Sequence, residues 1–213
     1  MPEQNRVTPL GEVVAIPLRG AWTGNRGVLH DGHQIVRSHA SDLWITCALQ
    51  FGGRWREQWL PHRYTHLYFH DEAVSLAAGH RPCAECRRDA YRAYQQAWAD
   101  GNGVAIPGAK QMNAQLHQER IVAGTHRRRW HELPWSSLPD GTFVLPDGDR
   151  PALVLDDTAV PWTREGYAAP GPRPRAGTAT VITPLSTVAA LRAGYPVQID
   201  DTAGKGRAVN RVS

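Results

Sequence analysis

The sequence predicts an α+β fold in two parts: a mixed α/β front domain over residues 1–132 and a small β-rich domain over residues 133–213. The length of 213 residues and the hydrophobic content of 41% are sufficient to bury a core. Segments with helical periodicity alternate with strand-forming runs before residue 132, whereas turn signals at 138–141 and 146–149 separate short β runs after it. This change of pattern predicts the domain boundary.

Strand signals dominate the middle of the front domain. Residues 43–51 are rich in strand formers, and Gly52 and Gly53 separate them from a second such run at 54–60. This arrangement predicts a β-hairpin. A third strand is expected over 64–69.

Three helices are predicted in the front domain. The first covers 72–78, where Asp71 can accept hydrogen bonds from first-turn amides and Gly79 ends the helix. The second covers 87–99, because its aromatic residues recur at helical spacing and form one apolar stripe: Tyr91, Tyr94 and Trp98. A third helix is expected over 108–122.

The rear domain is predicted to be built from short strands. Apolar β runs occur at 142–145, 152–155 and 160–163, and a further strand is expected at 180–182. One helix, over 185–193, completes this part of the chain.

Composition limits the class of protein. Three cysteines are an odd and sparse set for this length, so a disulfide framework is not expected and a reduced compartment fits better. No stretch approaches the roughly 18 apolar residues of a membrane helix, and the N-terminus lacks the basic-then-apolar profile of a signal peptide. We therefore expect a cytoplasmic protein with no membrane partner.

The strongest chemical signal is the pair Cys83 and Cys86, within the segment Gly-His-Arg-Pro-Cys-Ala-Glu-Cys at 79–86. A Cys-x-x-Cys turn lets two thiolates converge on one tetrahedral ion, and this spacing recurs in structural zinc sites. The sequence therefore predicts bound Zn²⁺ and a zinc-knuckle architecture for the front domain. Two alternatives stay open, a redox pair and two inert thiols.

The stretch from Tyr68 to about residue 88 resembles the second half of the Ada-type metal-binding domain. The shared pattern is an aromatic pair, a short Ala-rich helix, glycine, and then Arg-Pro-Cys-x-x-Cys. The resemblance implies that residues 1–132 form an Ada-like zinc-binding domain with an N-terminal extension. It also implies DNA binding and, as in the best-known members, transfer of a methyl group from a DNA phosphotriester to a zinc-bound cysteine.

The chain departs from the family pattern at the first cysteine pair. That pair is Cys-x-x-x-Cys in the family, but here Cys47 alone represents it, because position 51 is Phe. The resemblance implies that Cys47 is the third metal ligand and the possible methyl acceptor. A Cys₃His site would need a histidine, and spacing does not choose among five candidates: His30, His62, His66, His70 and His80.

A purely structural role for Cys47 is also open. Strand alternation places it on one face with Leu43, Ile45, Leu49 and Phe51. On a buried face, a free cysteine behaves as a small hydrophobe that is shielded from reagents.

The basic residues suggest a nucleic-acid partner. The formal net charge is +4, and the excess of basic over acidic residues lies entirely before residue 133 and is almost all arginine. We predict DNA contacts from arginines on the hairpin and around the cysteine pair: Arg54, Arg56, Arg63, Arg81, Arg87 and Arg88. The alternative for these side chains is a solvated, ion-paired surface. The densest basic cluster, at 125–131, closes the front domain.

These observations predict a zinc-binding, DNA-binding protein related to alkylation-damage handling, with Cys47 as the reactive group. Two other classes stay open. One is an enzyme acting on nucleic acid or a small molecule, in which the zinc is structural and a histidine such as His30 lies near the catalytic centre. The other is a protein-interaction module without chemistry.

Overall fold

The computed structural model describes residues 1–53, 57–146, 148 and 150–208. These residues form two large sheets, a two-stranded ribbon and four α-helices, which confirms a mixed α/β architecture. The strands are β1 Gln4–Val7, β2 Val13–Ala15, β3 Trp22–Asn25, β4 His30–Asp31, β5 Gln34–Ile35, β6 Ile45–Cys47, β7 Leu67–Phe69, β8 Arg81–Pro82, β9 His131–Pro134, β10 Phe143–Leu145, β11 Ala152–Leu155, β12 Thr158–Thr163, β13 Gly166–Tyr167, β14 Gly171–Pro172 and β15 Thr178–Val181. The helices are α1 Glu72–Ala77, α2 Arg88–Asn102, α3 Ala109–Arg120 and α4 Leu185–Arg192, and short 3₁₀ helices cover Trp135–Ser137 and Asp201–Ala208.

The front sheet positions the cysteines. Its strand order is β2-β1-β7-β3-β6-β8. Strand β6 pairs antiparallel with β3 on one side and parallel with β8 on the other, with Ile45 opposite Arg81 and Thr46 opposite Pro82. Because β8 leads directly into the Cys-x-x-Cys turn, this pairing brings the end of β6 beside that turn.

The rear sheet is antiparallel, in the order β13-β12-β11-β10-β15-β9, and β14 also pairs with β12. Its central strands β10, β11, β12 and β15 fall where the sequence predicted β runs. Strands β1 to β5, β8, β9, β13 and β14 were not predicted, because their short runs carry little periodicity.

One hydrophobic core joins the two sheets. Phe69 of β7 and Val74 of α1 pack in the same cluster as Phe143 of β10 and Leu153 of β11, and all four side chains are fully buried. The predicted division of the chain at residue 132 stays a prediction.

The helix predictions are confirmed in position. Asp71 caps α1 by accepting a hydrogen bond from the Val74 amide over 2.8 Å, and Gly79 follows with a φ of +88°. The aromatic stripe of α2 is buried and packs in one cluster with α4, which includes Leu191. The hydroxyl of Tyr94 lies 2.8 Å from that of Thr187.

The predicted hairpin is wrong. Strand β6 covers only Ile45–Cys47, and residues 57–60 contain no strand, while 54–56 lie outside the described residues. Both edges of β6 are taken by β3 and β8, which leaves no edge for a hairpin partner. The buried face of this segment is also the opposite one: Trp44 and Thr46 are at most 1% exposed, whereas Leu49 is 49% exposed.

Candidate metal centre

The three cysteines of the chain meet at one end of the β6–β8 strand pair. Cys47 is the last residue of β6, Cys83 follows β8, and Cys86 lies two residues before α2. The Cys83 amide donates to the Thr46 carbonyl over 2.9 Å, which continues the strand pairing to the turn. As a result the three Sγ atoms all lie within 4.8 Å of one another.

The turn after β8 supplies hydrogen bonds to the sulfurs. Hydrogen bonds from the Cys47 thiol and from the amides of Cys86 and Glu85 lower the pKa of Cys83 to about 5. The pKa of Cys47 is raised far above its usual range, first because its thiol donates to Cys83 and then because it is buried beside a thiolate. Burial raises the pKa of Cys86, although the Ala48 amide donates to it. The cluster therefore carries its negative charge on Cys83, where a cation would be attracted.

The donor set fits a thiophilic metal ion. A tetrahedral zinc site with Zn–S bonds of about 2.3 Å places its sulfurs about 3.8 Å apart. The observed sulfur separations, all within 4.8 Å, need only small side-chain rotations to reach that geometry. The three cysteines could thus hold a metal ion, and their soft sulfur donors favour zinc, copper(I) or iron over magnesium or calcium.

A pocket of about 830 Å³ opens beside the cluster, and all three cysteines line it. Glu85, which lies between the two cysteines of the turn, and His66 also line this pocket. Cys83 is buried, whereas Cys47 and Cys86 are half-buried. Cys47 and Cys86 therefore keep part of their surface accessible at the pocket, so Cys47 is not fully enclosed, as a packed position on a buried strand face would be.

Searches for relatives found none: no protein-family model, no curated protein and no solved structure matches this chain. The function is therefore argued from the site alone. Within the described part of the chain, no helix combines the length and apolar character that a membrane crossing requires.

His66 is the one candidate histidine that lines the pocket with the cysteines, although its ring nitrogens do not join the group of sulfur atoms within 4.8 Å. His30 lies elsewhere. Its Nδ1 is 2.6 Å from Thr65 Oγ1 and its Nε2 is 3.3 Å from the Leu60 carbonyl oxygen, so both ring nitrogens have local partners.

The remaining three histidines also lie away from the sulfurs. His62 is exposed, in a loop where its φ is +61°. His70 is buried with Nε2 3.7 Å from an Asp200 carboxylate oxygen. His80 is fully buried and accepts a hydrogen bond from Arg26, as expected for a packed residue.

Two of the arginines predicted to contact DNA are buried and bonded internally. Arg81 is 2% exposed and donates from Nε to Asn113 Oδ1 over 2.8 Å. Arg87 forms a 2.6 Å ion pair with Glu72, and its guanidinium carbon lies 3.8 Å from the ring centroid of Trp22. Because both guanidinium groups are buried, they do not fit a role in contacting phosphate groups. We assign both side chains a structural role in stabilising the fold.

The other predicted arginines divide into two groups. Arg63 and Arg88 are exposed and free to meet a partner's surface. Arg54 and Arg56 lie outside the described residues.

Sequence reasoning missed two features of the site. It did not anticipate the pocket, and it gave Glu85 no role although Glu85 lies inside the cysteine motif. It also noted the basic cluster at 125–131 without recognising that Arg128 packs inward against Trp44.

Proposed function

We propose that this protein binds one zinc ion through Cys47, Cys83 and Cys86 and that the Cys47 thiolate accepts an alkyl group from alkylated nucleic acid. The observation that carries the proposal is the position of Cys47. It comes from a different strand than the Cys-x-x-Cys turn, yet its sulfur joins the other two on the wall of the pocket. Bound zinc would keep the sulfurs deprotonated at neutral pH while leaving them nucleophilic.

The three sulfurs are suited to different tasks. Cys83 is buried and accepts amide hydrogen bonds from Glu85 and Cys86, which orient it as a ligand. Cys86 accepts an amide hydrogen bond from Ala48, and such bonds withdraw electron density from a sulfur. Cys47 itself donates its thiol proton toward the other two cysteines, and a metal would replace that proton without adding a hydrogen bond to the Cys47 sulfur. Cys47 is then the most nucleophilic sulfur that faces the pocket.

The transfer needs no other reactant. A bond forms between Cys47 Sγ and the alkyl carbon, and the bond between that carbon and a phosphate ester oxygen breaks. The electron pair leaves on the oxygen, so a neutral phosphotriester becomes a phosphodiester anion and the cysteine becomes a thioether. The protein is consumed with a stoichiometry of one alkyl group per chain.

A nucleic-acid partner is supported by the charge of the front part of the chain. The basic excess before residue 133 favours phosphate-rich partners, and exposed Arg88 begins the helix directly after the cysteine turn. Arg63 is exposed on the segment that precedes β7.

The test is incubation with a methyl-phosphotriester oligonucleotide, followed by peptide mass measurement. We expect one added methyl group on Cys47 in the wild type and in Ala84→Ser, a matched control at an exposed position between the other two cysteines. Cys47→Ser should gain no methyl group. Unmodified Cys47 in protein that contains stoichiometric zinc would reject alkyl acceptance.

A hydrolytic enzyme is the second candidate. It is favoured by two titratable side chains, Glu85 and His66, that line the same pocket as a three-cysteine site. Three protein ligands with one open position are typical of catalytic zinc, and a carboxylate or imidazole nearby can move protons. An alkyl acceptor stops after one equivalent, whereas a hydrolase turns over and should lose most of its rate in Glu85→Gln.

A further inference from the structure

Three arginines surround the buried side chain of Trp44, which lies immediately before β6, at the end opposite to Cys47. The guanidinium carbons of Arg120, Arg26 and Arg128 are 3.9, 4.3 and 5.9 Å from the Trp44 ring centroid. Arg26 and Arg120 are 1% exposed, and Arg128 is half-buried. We call these three residues the arginine cluster.

The charge of the arginine cluster is only partly offset by an acidic group: burial lowers the pKa of Arg120, the Asp42 carboxylate raises it by a smaller amount, and Arg120 Nη2 donates to the Asp42 carbonyl over 2.7 Å. Within the described ranges, no carboxylate lies at ion-pair distance from any of the three guanidinium groups. Arg120 and Arg128 instead donate to the carbonyl groups that end α1: Gly79 at 2.7 Å, Ala78 at 2.9 Å and Ala77 at 2.8 Å. Carbonyl groups carry only partial charges and Asp42 supplies a single negative charge, so an excess of positive charge remains in a buried setting, which is costly without a further counter-charge.

Each arginine of the cluster also keeps an unused donor. Arg26 Nη2, Arg120 Nε and Arg128 Nε are buried and have no hydrogen-bond partner. Burial, and then the charges of Arg128 and Arg120, lower the pKa of Arg26. Both observations indicate that this part of the molecule favours an added negative charge.

Three histidines lie next to the arginine cluster and form what we call the histidine rim: His39, His117 and His126. The ring centroid of His39 is 5.0 Å from that of His126, 5.5 Å from that of His117 and 5.7 Å from that of Trp44. His117 and His126 line a second pocket, of about 630 Å³, together with exposed Arg129. Burial, and then the neighbouring histidines and arginines, lower the pKa of His39 to about 4, so the rim and the cluster interact electrostatically.

We propose that the histidine rim and the arginine cluster form a binding site for a phosphate group. The ring N–H groups of the rim and the guanidinium group of Arg129 make the direct contacts, and the buried arginines provide fixed positive charge beneath them. A metal cation is disfavoured, because it would lie next to three guanidinium groups.

This site goes beyond the alkyl-acceptor proposal and does not depend on a metal. It lies at the other end of the same strand pair: Trp44 and His80 adjoin the cluster, whereas Cys47 and Cys83 form the metal centre. Three residues of strand separate the two ends, which corresponds to about 10 Å. Side chains alternate along the strand, so buried Trp44 and Thr46 share one face and Cys47 lies on the other, and the two sites are separate.

The test uses full-length, metal-loaded protein and follows the histidine side-chain NMR signals during titration with inorganic phosphate, with sodium chloride at matched ionic strength as the reference. We expect saturable shifts of the three rim histidines. The double variant His126→Asn and Arg129→Gln should bind phosphate at least ten-fold more weakly, whereas Arg164→Gln, an exposed arginine in the turn between β12 and β13, should bind as the wild type does. Both substituted side chains are exposed, so the double variant should keep the wild-type unfolding temperature, which is measured in parallel.

A second arm identifies the source of the phosphate. A single-stranded oligonucleotide that displaces phosphate from the rim supports a phosphodiester ligand, and displacement by a mononucleotide alone supports a small phosphate ester. Absence of saturable shifts with phosphate, or equal phosphate affinity of the folded double variant, would overturn the proposal. Neither result depends on alkyl transfer at Cys47.

Discussion

Arg26 and His80 form a buried hydrogen bond in which Arg26 Nε donates to His80 Nε2 over 3.2 Å. Because Nε2 is the acceptor, the neutral imidazole carries its proton on Nδ1. The ring is fully buried beside Trp44 and Phe69. Burial, and then the charges of Arg26 and the other two clustered arginines, lower the pKa of His80 well below its usual value. His80 is therefore neutral in the folded protein.

The first prediction is that stability falls as the pH is lowered below about 6.5. In that range the unfolded chain takes up a proton on His80 that the folded chain does not bind. The stabilisation that neutral His80 provides is fully present above the pKa of His80 in the unfolded chain. It is lost as the pH falls toward the lower pKa of His80 in the folded protein. Between pH 7.5 and pH 5.5 it amounts to about 1.4 kcal/mol.

Urea unfolding at the two pH values measures this effect. His80→Gln can still accept the Arg26 hydrogen bond but cannot titrate, so its free energy of unfolding should depend less on pH. His39 and His117, whose pKa values are also lowered, should leave a residual dependence. His33→Gln, at an exposed position, should keep the wild-type profile. An H80Q profile identical to that of the wild type would contradict the assignment.

The second prediction concerns metal content. We expect one zinc ion per chain by elemental analysis, and loss of that ion in Cys83→Ser, because a hydroxyl is a poor substitute for the thiolate that anchors the cluster. Chelation should lower the unfolding temperature, since metal-binding energy contributes to folding. Ala84→Ser should bind zinc normally. Metal-free wild-type protein with full thermal stability would contradict a zinc site.

Features that depend on residues close in sequence were predicted correctly, whereas features that depend on contacts between distant segments were not. The cap at Asp71, the stop at Gly79 and the stripe on α2 each depend on residues close in sequence, and all three are confirmed. The hairpin failed because strand pairing depends on distant partners: β6 pairs with β3 and β8, and neither edge is available to residues 57–60. Spacing alone could not reveal those partners.

The same reason explains the errors at the arginines. Arg81 and Arg87 flank the cysteine pair, which suggested a basic surface. Their partners, Asn113 and Glu72, lie in other helices, so the sequence could not show that both guanidinium groups are enclosed. The grouping of Cys47 with the other cysteines came from the family resemblance, and the β6–β8 pairing supplies its physical cause.

The third prediction is that the neighbouring residues Arg87 and Arg88 make very different contributions to the free energy of unfolding. Arg87→Ala leaves the Glu72 carboxylate buried without its ion-pair partner, although Tyr195 still donates to it over 2.7 Å. We expect a loss of about 3–5 kcal/mol in the free energy of unfolding. Arg88→Ala, at an exposed position, should change stability by less than about 0.5 kcal/mol. Chemical denaturation of both variants measures the difference, and equal stabilities would contradict the buried ion pair.

Arg88→Ala also tests the nucleic-acid interface. If Arg88 contacts phosphate, this variant should bind an oligonucleotide more weakly, and the dependence of its affinity on salt should have a slope smaller by about one. A stable variant with unchanged affinity and slope would remove Arg88 from the interface.

The last prediction concerns Gly24 in β3, which lies between β6 and β7. A Cβ atom at this position would be 2.1 Å from the Ile45 carbonyl oxygen and 2.9 Å from the Phe69 ring. Gly24→Ala therefore forces β3 and β6 apart, and we expect a loss of more than about 2 kcal/mol in stability. Since β6 carries Cys47, zinc affinity should fall as well, whereas Gly171→Ala, whose nearest neighbour is 4.0 Å away, should change neither property. Measuring zinc affinity under conditions where G24A is still folded separates the two effects. Normal affinity there would show that the β3–β6 pairing does not hold Cys47 in place, and that β8 alone is sufficient to position it.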